Sequence, residues 1–291
     1  MTRPERPDER RDIGPGSLLW RWAGDTRIAF VGPTIGLLQL MHPAIGAGVL
    51  EHSNFFADPY GRVFRSLPRI LGTIYDGPGA ETTGHEVRDF HKDIRGIDSA
   101  GRKYHALDPA TYWWAHATFQ FMAEQVGDRF DTHRISDAER ESLYLDGVEW
   151  FRRYGVSDRA VPATRADYQV AWDDVCANVL EMNPAVEFVL ELLDNLQPPR
   201  LAGLLSPAQP FLNIPPLRQL TTVPVRIAAI GCLPPVVRDR FGIAWSRQDQ
   251  LQLNALQLVV SQGWRFVPFP IRWQPRAQEG WRRVWAERKA A

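Results

Sequence analysis

Residues 106–118 read Ala106-Leu-Asp-Pro-Ala-Thr-Tyr-Trp-Trp-Ala-His-Ala-Thr118, and this stretch decides the fold class. Asp108 has the side chain of a good helix N-cap, and Pro109 suits the first helical position, where no N–H donor is needed. The apolar run continues to Met122 and Ala123, with Gly127 as the expected stop. The spacing predicts one strongly apolar helix carrying His116. Tyr112, Trp113, Phe119 and Gln120 lie three or four residues from it, on the same or a flanking face. An imidazole among aromatic rings and small alanines is what a flat apolar cofactor needs, and haem iron is commonly held by one histidine. Taken alone, however, a histidine on an apolar helix is more often a hydrogen-bonded core residue.

Outward from this helix, helical signals dominate the chain. Asp58-Pro59 caps a helix through Arg62, Phe64 and Ile70, and Thr82/Thr83 open another that carries His85, Arg88, His91 and Lys92 towards Gly96. Ser136 with Glu139 forms a capping box for a helix through Trp150 and Tyr154. Thr164 with Asp167 forms a second box that starts a helix around Tyr168 to Met182, and Pro184 opens one with Val186, Phe188, Val189 and Leu192 at helical spacing. Ser246 with Asp249 caps a helix through Leu251, Leu256 and Val260. Alternating strand patterns are scarce, and the proline-rich pieces 197–217 and 266–275 read as wrapping loops. The expectation is an all-α fold, a single helical domain over 16–291 after a disordered polar tail over 1–15.

Composition narrows the function. The chain has 291 residues, 44% of them hydrophobic, and a formal net charge of +0; nothing in that balance suggests a nucleic-acid partner, which would want clustered basic charge on one face. Eleven tryptophans suit a large core or the wall of an apolar ligand pocket. Cys176 and Cys232 have no metal-type spacing, and no apolar signal core follows the polar start, so a reducing, cytoplasmic setting is expected. The uncharged run 28–50 has the length of a membrane span. Its Pro33, Pro43, Gln39, His42 and glycines instead predict a buried helix pair broken at Pro43, with no stable membrane insertion.

Two basic stripes are candidates for chemistry. Arg88, His91, Lys92 and Arg95 recur at spacings of three and four, as a solvated face or as a polar wall over a cofactor. Arg62, Arg65 and Arg69 form the second stripe, able to meet carboxylates or only water. Zinc His-Glu-x-x-His, di-iron Glu-x-x-His, the Gly-x-Ser-x-Gly elbow and the phosphate-binding glycine loops are all missing from the sequence.

The order of several short pieces then carries a resemblance. They are His42-Pro-Ala-Ile-Gly-Ala-Gly-Val, His52-Ser-x-Phe, Asp58-Pro-Tyr-x-Arg62, Arg88-x-x-His91-x-x-Ile-x-Gly96, Tyr104-x-Ala106-x-Asp108-Pro and Trp114-Ala-His116-Ala-Thr118. Over roughly 20–183 the series resembles the oxygenase MpaB / rubber oxygenase (latex-clearing protein) catalytic-domain family, with a looser match beyond. The resemblance implies an all-α fold holding one haem b in a buried pocket, and an oxygenase that uses dioxygen on hydrophobic, unsaturated, prenyl-like substrates. By position, His116 resembles the proximal iron ligand, with Tyr112, Phe119 and Arg88 beside the cofactor. Arg88 and His91 resemble the distal Arg-x-x-Lys of the latex-clearing proteins, with histidine in place of lysine. Trp113 stands where those enzymes carry an arginine. Both departures place the chain nearer the MpaB-like branch. Two other functions remain open from the residues: a haem sensor or carrier with His116 and His91 both on the iron, and a non-haem binder of apolar ligands.

Overall fold

The Asp108 carboxylate accepts hydrogen bonds from the Ala110 and Thr111 amides and Pro109 fills the first turn, so the longest helix starts where its sequence dictates. The structure, a computed structural model, describes residues 10–196 and 214–290. In chain order its helices are α1 (Leu18–Ala23), α2 (Ile28–Leu40), α3 (Pro43–His52), α4 (Pro59–Tyr75), α5 (Ala80–Asp89) and α6 (Pro109–Phe130). They are followed by α7 (Asp137–Arg152), α8 (Arg165–Asp174) and α9 (Pro184–Asp194). After the undescribed residues come α10 (Pro215–Gly231), α11 (Pro235–Arg240), α12 (Arg247–Gly263), α13 (Phe269–Arg272) and α14 (Pro275–Ala290). Among the described residues, strand pairing within a sheet is confined to one hairpin, β1 (Arg95–Ile97) against β2 (Lys103–His105), with Arg95 opposite His105. The fold is all-α, as expected.

The α6 helix is the axis of the molecule, with α2, α1, α7 and α12 against it. It is buried on most of its circumference because its charged residues, Glu124, Asp128 and Arg129, are confined to its last two turns. The expected stop at Gly127 does not occur: the helix continues to Phe130. The reason for glycine there is packing, since a Cβ would sit 2.6 Å from the Trp22 ring.

The uncharged 28–50 segment is the second half of the core. Its two helices are bent by 95° at the break before Pro43, and Leu37, Leu38 and Met41 are fully buried. Polar atoms fasten it to its neighbours. Trp114 Nε1 donates to the Leu38 carbonyl at 3.1 Å, Gln39 Nε2 to Thr118 Oγ1 at 2.8 Å, and Thr34 Oγ1 to the Ala229 carbonyl at 2.8 Å. No single helix among the described residues is long and apolar enough to cross a membrane.

Several expectations need correction. Arg10 and Arg11 pair with Glu149 and Asp146 at 2.9 Å each and Ile13 is buried; residues 1–9 of the expected tail lie outside the described residues. Thr82 and Thr83 are inside α5, which starts after the Gly77–Gly79 turn, and the helix ends at Asp89, short of His91. Thr164 caps its helix by accepting from the Asp167 amide at 3.1 Å, but the Asp167 carboxylate takes the Thr164 hydroxyl instead of the Thr164 amide, so the box is incomplete. That helix stops being regular at a π-turn, Val175–Val179, before Met182. Within the proline-rich 266–275, Phe269–Arg272 is a helical turn, and the 197–217 piece runs into α10 from Pro215, with 197–213 outside the described residues.

Candidate functional site

His116 leaves α6 towards α7 and is 2% exposed. Its Nε2–H donates to the Gly147 carbonyl at 2.8 Å. A Cβ on Gly147 would stand 2.3 Å from Gln120 Oε1, so the missing side chain makes room for the Gln120 amide beside the histidine. Around the imidazole stand the rings of Trp150 at 4.6 Å, Phe151 at 5.3 Å, Trp113 at 5.4 Å and Tyr154 at 5.8 Å between centroids. With Nε2 carrying the proton, Nδ1 holds a lone pair and is buried with no partner. Gln120 Oε1, one turn along α6, is buried without a partner too. Burial pushes the imidazole down to about 3, against the smaller opposing pull of the Gly147 carbonyl, so His116 is neutral through the physiological range.

Gly147, Trp150, Phe151 and Tyr154 are the part of this cage that sequence reasoning missed. Their spacing of three, four and seven marks one face of α7 and its end, a signal present in the chain, but nothing local says that this face meets His116.

A line of rings leads out of the cage. Tyr154 meets Tyr112 at 5.4 Å, and Tyr112 meets His91 edge-on at 5.8 Å. Burial raises both phenols well above their ordinary range, which keeps them protonated. His91 sits in the turn after α5 and donates from Nδ1 to the Val87 carbonyl at 2.8 Å. Arg88 lies at the last turn of α5 and bonds the Asp89 carboxylate at 2.8 Å, as does Lys92. The expected Arg88–His91–Lys92–Arg95 stripe is therefore not one helical face, because Arg95 begins the hairpin. Arg88 and His85 both reach over Gly155, whose φ of +65° and missing Cβ make room for them. Phe119 is half-buried against Trp150 at 6.4 Å, at the rim of the cage.

The other candidates lie apart from this cage. Arg65 pairs with Asp58 at 3.0 Å and Arg69 covers the Phe90 ring at 4.8 Å; the Arg62 side chain is outside the described residues. His105 uses both ring nitrogens, accepting from the Leu107 amide and donating to the Lys92 carbonyl. His133 bonds Glu139 and His52 the Arg95 carbonyl. His42 precedes α3 and stacks near Trp114 at 6.4 Å; burial, and then Arg102, push it down to about 4.

Among the described residues no group of three His, Cys, Asp or Glu side chains converges to hold a bare metal ion. A metal at His116 would have to bring its other donors with it, as the four ring nitrogens of haem do. The donor chemistry of the site fits that case: one neutral imidazole with an uncommitted nitrogen, inside aromatic walls. Those walls are closed on the imidazole, so seating a macrocycle there requires the rings to part.

An all-α fold built on one apolar histidine helix defines the class, and residues 20–262 of the chain match one family throughout. The chain belongs to the family described as ER-bound oxygenase mpaB/B'/rubber oxygenase, catalytic domain. It is thus an enzyme of the oxidoreductase class, and the matched span contains the whole cage as well as Arg88 and His91. Neither a curated protein nor a solved structure matches the chain.

Proposed function

We propose that this oxygenase is a haem b enzyme that uses dioxygen on a hydrophobic, unsaturated, prenyl-like substrate, with His116 as the protein's iron ligand. The observation that carries the proposal is the buried, partnerless Nδ1 of a neutral His116. A partnerless polar atom at such depth is costly unless something binds it, and the cost is about 1–3 kcal/mol. Bound haem would supply the activation of dioxygen that side chains alone lack.

The chain's own residues set the surroundings of that chemistry. Tyr112, Trp113 and Phe119 provide an apolar wall that excludes water and holds an alkene by contact. Arg88 supplies fixed positive charge close to Tyr112. His91 donates from Nδ1 to the Val87 carbonyl, which fixes its ring edge-on to Tyr112 in the position of a proton donor. His91 and His116 are joined through the Tyr112 and Tyr154 rings rather than set face to face, which favours a proton-donating His91 over one that ligates iron. A cytoplasmic setting belongs to the same proposal and is supported by the free, buried thiols of Cys176 and Cys232.

The test is oxygen consumption by the haem-loaded protein with a polyunsaturated isoprenoid. Uptake accompanied by oxygenated product is expected. Haem-loaded protein that consumes no oxygen with any such alkene would instead indicate a sensor or carrier.

A further inference from the structure

The C-terminal quarter of the described chain leaves large apolar side chains in solvent. Leu251, Leu258, Val259, Phe266 and Ile271 are between 62% and 76% exposed. On α12, Leu251, Ala255, Leu258 and Val259 fall within one stripe at helical spacing, while Leu253 on the opposite side is fully buried. The helix is thus amphipathic in an unusual sense, with an apolar stripe outward as well as inward. The outer stripe runs on in sequence into Arg265 and Phe266, where the guanidinium lies over the Phe266 ring at 4.9 Å. Further along, the Phe269 ring meets Trp285 of α14 at 4.9 Å.

Charge is polarised in the same region. No Asp or Glu occurs from Gln250 to Gln278, and residues 250–290 carry seven basic side chains against two acidic ones, in a chain of net charge +0. Both acids have basic neighbours: Glu279 pairs with Arg276 at 3.4 Å and Glu287 with Arg283 at 3.9 Å. Arg282, Arg288 and Lys289 stand three or four residues from Trp285, all exposed, so they flank that ring on α14. Aliphatic and aromatic side chains at the surface, in a segment where Arg and Lys outnumber the acids and Glu279 and Glu287 are each paired with an arginine, match the chemistry of one environment: the headgroup zone of an anionic bilayer.

We propose that α12 and the segment through Trp285 form a peripheral docking surface for anionic phospholipid membranes. Leu251, Leu258, Val259, Phe266 and Ile271 enter the acyl boundary, while Arg265, Arg282, Arg288 and Lys289 meet the phosphate and carboxylate headgroups. Docking requires no spanning helix. It involves neither His116 nor any bound cofactor.

Co-sedimentation of the purified protein with vesicles of phosphatidylcholine containing about a third phosphatidylserine tests the proposal. The expected result is salt-sensitive binding, weaker by roughly tenfold on pure phosphatidylcholine. The double variant Leu258→Asn/Val259→Asn, and separately Phe266→Ala, should each lose roughly tenfold in binding with an unchanged circular dichroism spectrum. Absence of wild-type binding to the anionic vesicles would overturn the proposal, as would binding that these variants leave unaltered. Concentration-dependent self-association, removed by the same substitutions without any vesicle binding, would assign the surface to a second copy of the chain instead.

Discussion

Two aromatic clusters in this protein have similar ingredients and opposite settings. Around His116, the rings of Trp113, Trp150, Phe151 and Tyr154 are buried and enclose a neutral imidazole. At the C-terminal end, Phe266 and Trp285 are exposed beside arginines, with Trp273 and Trp281 half-buried beneath. Aromatic content alone thus does not mark a site. What distinguishes the clusters is the charge state of the polar group each one holds. Burial strips the proton from His116, whereas water keeps Arg265, Arg282 and Arg288 solvated. The first arrangement suits a cofactor and the second a charged surface.

The difference should be largest in stability. Trp150→Ala removes a fully buried ring and the donor to Thr73 Oγ1, and should cost about 3–5 kcal/mol in urea unfolding. Trp285→Ala should cost less than about 1 kcal/mol, and equal losses at the two positions would break the comparison.

Arg88→Ala and His91→Ala probe the route between the cage and the surface. Haem content should stay close to wild type in both variants, because His91 is joined to the His116 ring through Tyr112 and Tyr154, and Arg88 reaches over Gly155. Oxygen uptake by His91→Ala should fall roughly a hundredfold, the usual scale for a lost proton donor. Loss of haem in both variants would show that this turn holds the cofactor rather than the proton.

Acid should weaken the cofactor-free fold through its two buried imidazoles. In the unfolded chain they take up protons below about pH 6.5, whereas in the fold they stay neutral down to about 3 for His116 and about 4 for His42. Their folded pKa values are lowered, so unfolding binds protons; stability is complete above pH 6.5 and drains away as pH falls towards 4. Thermal melts at pH 8, 6 and 5 should show falling midpoints in that order, and a flat profile would contradict the burial of these rings. The smallest effect belongs to the exposed cluster: Phe266→Ala should leave stability within about 0.5 kcal/mol of wild type.

Local chemistry made much of the fold legible. The Asp108 cap, the Ser136–Glu139 and Ser246–Asp249 capping boxes and the break before Pro43 all stand in the structure as the sequence implies. The hairpin was not legible, because its strands are three residues each and its turn depends on Asp98 accepting from the Ala100 and Arg102 amides. The start of α10 was hidden by Pro215 and Pro216, which suit a first helical turn as well as a loop. For the site, the aromatic neighbours of His116 on its own helix could be read from spacing. Its bond to Gly147, 31 residues away, and the α7 half of the cage could not, since only tertiary packing brings them together. The end of α5 at Asp89 likewise moved His91 off the helical stripe and onto the edge of Tyr112.

The central claim is that His116 is an iron ligand and not only a core histidine. Titration of haem into cofactor-free wild-type protein and into His116→Ala, followed by absorption and by quenching of tryptophan fluorescence, tests it most directly. Wild type should develop a Soret band saturating at one haem per chain, with tryptophan emission quenched because Trp113 and Trp150 stand within 5.4 Å of the His116 ring. His116→Ala, still helical by circular dichroism, should develop neither. Equally tight binding by the variant would contradict the account and return His116 to the core.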